Sequence, residues 1–154
     1  MSERKRMISF SPPDISEEEI EEVGEALRSG WITTGPRTKK LEKEIAEWIG
    51  VGHTAGGTPR CVCLNSQTAC AEMALRVMGI GPGDEVIVPT YTYTASASVV
   101  CHVGAKLILI DCQKDSLEMD YDKAEAAINE RTKAIIPVDI GGIPCDYDKI
   151  LKII

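Results

Sequence analysis

The stretch Arg60-Cys61-Val62-Cys63-Leu64-Asn65-Ser66-Gln67-Thr68-Ala69 decides how this chain is read. A short apolar run stops at small polar residues, and a helical pattern begins immediately after them. We expect a strand over 60–64 and a helix over 67–78, with Met73, Ala74 and Val77 on its apolar side. A helix starting there leaves its first backbone N–H groups without partners and turns the positive end of its dipole toward the gap. Such an end suits an anion, a phosphate above all. Ser66 and Thr68 add hydroxyls. On spacing alone, plain N-capping by Ser66, worth about 1 kcal/mol, is the simpler account.

Outward from this stretch the pattern alternates. Strands are expected over 85–88, 106–110 and 134–138, and helices over 95–103, 121–128 and 145–154. Near-continuous apolar strands between helices argue for an α/β fold: a partial, mostly parallel sheet flanked by helices. Gly79-Ile80-Gly81-Pro82-Gly83 follows a helix and precedes a strand, the reverse of a dinucleotide-binding fingerprint, so it reads as a turn with a Schellman-type helix end at Gly79. On the N-terminal side, Ser16-Glu17-Glu18-Glu19 reads as a capping box ahead of Ile20, Val23, Ala26 and Leu27. Gly30 closes that helix. A second helix over 38–49 carries Leu41, Ile45 and Trp48 on one face. We therefore divide the chain into an N-terminal helical arm and loop, 1–59, and an α/β portion, 60–154.

Composition narrows the function. A length of 154 residues supports a real core, and a net charge of −7 disfavours nucleic acid and anionic membrane surfaces. No apolar run approaches the roughly 20 residues of a membrane span, and the N-terminus lacks an apolar signal core. Six cysteines without disulfide-like spacing fit a reducing cytoplasm. With no CxxC pair and only His53 and His102 available, no metal site is expected.

Taken together, Trp31-Ile32-Thr33-Thr34-Gly35-Pro36, Asn65 to Ala69, Gly79 to Pro89, Gly104-Ala105 with Asp111, and Arg131 to Val138 carry a resemblance. In order and spacing they resemble the N-terminal part of the DegT/DnrJ/StrS-type nucleotide-sugar aminotransferases. These are pyridoxal 5'-phosphate (PLP) enzymes of the fold-type I aspartate aminotransferase superfamily. The resemblance implies an incomplete PLP-transferase large domain, with a nucleotide-linked keto-sugar as substrate, an amino donor such as glutamate, and a homodimer.

It also implies roles. Gln67 and Thr68, with Ser66, would bind the cofactor phosphate, and Tyr93 would stack on the pyridine ring. Without the resemblance, Tyr93 reads as a core tyrosine, and alternation would send Tyr91 to the opposite face. Thr33, Thr34 and Gly35 would lie on the substrate side, or form a simple loop between helices. Asp139, also expected on the substrate side, stands where many family members carry histidine, so an aspartate reverses the charge there. No lysine here matches the family's Schiff-base position, and its pyridinium-binding aspartate and small domain would lie past Ile154. The chain alone is thus expected not to transaminate. Two other readings stay open: a non-catalytic PLP-binding or protein-interaction module, and a nucleotide-binding α/β domain.

Overall fold

The computed structural model describes residues 11–50 and 59–154. The chain folds as two units, Met1–Cys63 and Leu64–Ile154.

The second unit is α/β. Its three-stranded parallel sheet runs in the order β2-β1-β3, with β1 at Glu85–Pro89, β2 at Lys106–Ile110 and β3 at Thr132–Ile135. β1 lies at the centre because every one of its residues can be buried, and all five are. Its side chains alternate between two cores. Val86 and Val88 pack with Leu75 of α3 (Gln67–Val77) and with Val99 and Val100 of α4 (Ala95–His102). Ile87 points the other way, into a cluster with Tyr121 and Ala124 of α5 (Tyr121–Ala127) and Ile150 of α6 (Tyr147–Ile153). A sheet covered on both faces is what the unbroken apolar run of β1 requires.

The turns follow from local chemistry. α3 ends in a Schellman motif: the Ile80 N–H donates to the Leu75 carbonyl at 3.0 Å and the Gly79 N–H to that of Arg76 at 3.0 Å. Gly79 sits at φ +75°, a conformation open to glycine, and Leu75 and Ile80 are both buried beside it. Gly104, at φ +78°, repeats the device at the end of α4. β3 starts two residues earlier than expected and pairs with β1 through an irregularity between Glu85 and Val86. Glu85 itself is a buried carboxylate at the start of the central strand. It accepts hydrogen bonds from Asn129 Nδ2 at 2.8 Å, Arg131 Nε at 2.9 Å and Lys106 Nζ at 3.1 Å. These donors, Asn129 foremost, hold its pKa down at about 2.

In the first unit, α1 (Glu17–Arg28) opens with the expected capping box: Ser16 and Glu19 satisfy each other's backbone donors. α2 (Pro36–Gly50) starts two residues before the expected position, at a proline whose missing N–H costs nothing there. Neither helix has a buried residue. Arg37 joins them through ion pairs with Glu22 and Glu25.

One expected element is absent. Residues 60–64 form no strand; they alternate between half-buried and exposed and lie outside the three-stranded sheet. The Cys63 N–H, which a ladder would have used, donates instead to Glu42 Oε1 at 2.9 Å. Alternating burial alone does not make a strand without a neighbour to bond to.

Candidate functional site

Strand order locates the site. The chain leaves β1 for β2 on one side and later returns to place β3 on the other, so the order reverses at β1. In open α/β sheets, ligands settle beyond the carboxyl ends of the strands at such a reversal. The residues following β1 there are Thr90 to Thr94, and those following β3 are Ile136 to Asp139.

The start of α3 is the other candidate feature. α3 packs Leu75 and Ala71 onto the core of the sheet and connects by a short turn to the amino end of β1. It lies chiefly beside α4.

Ser66 is the N-cap, and its Oγ accepts from the Ala69 N–H at 3.1 Å. The cap uses that oxygen as acceptor and leaves its own O–H free to donate. Inside the helix the N–H groups of Gln67 and Thr68 have no acceptor and point outward with the dipole. Thr68 is half-buried and Gln67 exposed. The capping reading and the anion-site reading are thus compatible: different donors serve each.

Tyr93 is not a core tyrosine, since its side chain is 80 % exposed. Alternation between Tyr91 and Tyr93 does not apply, because the strand ends at Pro89 and both rings are exposed. Tyr93 is fixed by its backbone: its carbonyl accepts the Ser96 N–H at 3.0 Å as α4 begins. A flat exposed ring thus stands just beyond the carboxyl end of β1.

Asp139 opens a tight loop containing Gly141 and Gly142, both at positive φ. Its Oδ1 accepts the Cys145 N–H at 2.9 Å, and the Tyr147 hydroxyl donates to both its oxygens at 3.1 and 3.2 Å. The Cys145 N–H above all, with Tyr147, keeps this carboxyl below its usual pKa, while burial pushes the Cys145 thiol up. Neither bond was visible in the sequence, because Asp139 and Tyr147 are apart along it and meet only when α6 folds back.

Thr33, Thr34 and Gly35 lie in the first unit, in the loop between α1 and α2. Trp31 closes that loop, its indole N–H donating to the Thr34 carbonyl at 3.1 Å. Sequence reading passed over both Trp31 in this role and Glu85. The glycine four residues after a tryptophan was the available signal for the first. For the second it was a strand opening on glutamate with Asn129 and Arg131 ahead of the next strand.

Residues 13–154 match the DegT/DnrJ/EryC1/StrS aminotransferase family. The chain belongs to that family. It is 41 % identical over 153 residues to the spore coat polysaccharide biosynthesis protein SpsC of Bacillus subtilis, covering 99 % of this chain and 38 % of that protein. A candidate sugar aminotransferase of Streptococcus pneumoniae, solved in a PLP-form, superposes with a TM-score of 0.85 at 56 % identity, over 96 % of this chain and 36 % of that one. The aminotransferase TlmJ of Streptoalloteichus hindustanus gives a TM-score of 0.83 at 31 % identity, over 96 % of this chain and 39 % of its own. The chain thus spans somewhat over a third of the length of these relatives. Among the described residues, no helix is long and apolar enough to cross a membrane.

Proposed function

We propose that this chain supplies the N-terminal part of a cytoplasmic, PLP-dependent aminotransferase that acts, as a homodimer, on a nucleotide-linked keto-sugar with glutamate as amino donor. What supports this reading is a helix start with unused backbone donors at Gln67 and Thr68, together with an exposed tyrosine just beyond β1. The residues present fit the cofactor. The N–H groups of Gln67 and Thr68 and the hydroxyls of Thr68 and Ser66 would take its phosphate. The Tyr93 ring would lie against its pyridine ring, fixing the ring plane and excluding water from one face.

Bound pyridoxal phosphate supplies reversible capture of an amine and an electron sink for the bond that breaks. The chain's own part is binding and orientation. Among the lysines, Lys106 pairs with Glu85 at the amino end of β2, and Lys133 Nζ donates to the Glu130 carbonyl at 3.0 Å. Both belong to the sheet's strands and to other partners. This supports the reading that the chain alone binds and orients but does not transaminate. Calorimetric titration with PLP, repeated in excess inorganic phosphate, tests the assignment. Competition by phosphate is expected, and PLP binding indifferent to phosphate would overturn it.

A further inference from the structure

α3 and α4 differ in how firmly each is seated. α4 buries Ala95, Ser96, Val99 and Val100, whereas α3 buries only Leu75. Met73 and Val77 of α3 are exposed. A helix gripped through one side chain can turn about that point unless polar contacts stop it.

Three side chains supply such contacts. Glu72 Oε1 accepts from Nε of Arg76 at 2.9 Å and from its Nη2 at 2.7 Å. Glu72 Oε2 lies 2.9 Å from Nδ1 of His102, the last residue of α4. A carboxylate only accepts, so Nδ1 carries the proton in this contact. Arg76 Nη2 also donates to the His102 carbonyl at 3.4 Å. That carbonyl is one of those the end of α4 leaves without a helical partner, where a cation is favoured. Arg76 first, and then His102, keep the Glu72 carboxyl below its usual pKa.

The opposite end of α4 carries Tyr93. The Thr92 and Ser96 hydroxyls share a hydrogen bond of 2.9 Å, and the Tyr93 carbonyl accepts the Ser96 N–H. α4 is thus tied at its start to the segment bearing the ring and at its end to α3, which opens with Gln67 and Thr68. We propose, on the cofactor reading above, that Glu72, Arg76 and His102 form a latch that fixes α3 on α4 and so holds the phosphate donors of Gln67 and Thr68 at a set separation from Tyr93. All three are positioning residues. Two half-sites in one rigid frame grip a ligand that spans them through an effective concentration, which slack in the frame lowers.

Pyridoxine 5'-phosphate, which lacks the aldehyde that reacts with lysines, spans both half-sites, while inorganic phosphate and pyridoxine each fill one. NMR titration measures all three affinities. Glu72→Ala should weaken pyridoxine 5'-phosphate roughly three- to five-fold, the scale of partly exposed charge pairs, and leave both half-ligands unchanged. Alanine is a strong helix former, so loss of α3 would not account for that pattern. Glu72→Gln, whose amide oxygen still accepts from Arg76, should retain part of the affinity. Adding His102→Asn to Glu72→Ala should cost nothing more.

The latch is also read without ligand, by spin labels on the exposed Cys70 of α3 and Cys101 of α4. With Cys61→Ser, Cys63→Ser, Cys112→Ser and Cys145→Ser as background, the distance distribution should be narrow and should broaden in Glu72→Ala. Unchanged pyridoxine 5'-phosphate affinity in Glu72→Ala, an equal loss of inorganic phosphate, or no broadening would overturn the latch. Broadening in Glu72→Ala, with neither pyridoxine 5'-phosphate nor phosphate bound by the unaltered chain, would refute the cofactor reading and leave the latch between the helices standing.

Discussion

Ser66 separates the two duties assigned to the start of α3, because one substitution removes the cap and another keeps it. Ser66→Ala strands the Ala69 N–H that Ser66 Oγ now accepts at 3.1 Å. The expected cost is about 1 kcal/mol of stability, with PLP affinity reduced only by the loss of one hydroxyl donor. Ser66→Asp preserves the cap and favours the helix dipole, so stability should hold or rise slightly. It also sets a carboxylate beside the proposed phosphate. A doubly negative phosphate about 5 Å from that carboxylate is opposed by about 1.7 kcal/mol even at the dielectric constant of water. That is roughly a ten-fold or greater loss of PLP affinity at low ionic strength, shrinking as salt is added. Urea unfolding followed by circular dichroism measures the first effect, and absorbance titration with PLP the second. If Ser66→Asp is as stable as the unaltered chain and binds PLP equally well at low salt, the phosphate does not sit at this helix start.

Three further outcomes follow from the packing. Gly79→Ala and Gly104→Ala both force alanine into a left-handed conformation, costing roughly 1–2 kcal/mol. Gly104→Ala should lose more in urea, because its Cβ would also meet Pro82 Cγ at 3.2 Å whereas Gly79 faces open space. Glu85 has a folded pKa of about 2, below its ordinary 4.5, so its contribution to stability is complete above about pH 4.5 and disappears as pH falls toward 2. The urea midpoint of Glu85→Gln should therefore lie below that of the unaltered chain at pH 7, and the gap should close between pH 4.5 and 2; a pH-independent gap would contradict the assignment. Ile87→Ala, at a fully buried position in β1, should cost about 2–5 kcal/mol in the same assay, against little change for exposed Val23→Ala.

Much of the fold was legible because local and global preferences agree. β2 falls at the expected 106–110, and the helix caps at Ser16 and Gly79 form as their residues dictate. Where partners are distant the sequence was silent or misleading. Residues 60–64 alternate like a strand, but a strand is defined by its ladder, and this segment lies outside the three-stranded sheet. β3 begins early because the Arg131 carbonyl accepts the Glu85 N–H at 2.7 Å, a bond spanning two strands. Of the candidate site, the start of α3 was readable from its cap, since capping is local. The exposure of Tyr93 was not, because the same residue in the same pattern suits a core equally well. The bonds of Asp139 to Cys145 and Tyr147 depend on how α6 folds back, which no spacing rule encodes.

The account stands most directly on whether this chain holds a phosphorylated pyridine ring at the carboxyl edge of its sheet. Titration of the purified chain with PLP, compared with Tyr93→Ala and followed by borohydride trapping and peptide mapping, decides it. The account predicts saturable binding that Tyr93→Ala weakens, with no single lysine trapped in stoichiometric amount. Non-saturable binding, or binding unchanged in Tyr93→Ala, would contradict the site. A stoichiometric adduct on one lysine of this chain would contradict the claim that it binds and orients without supplying the catalytic amine.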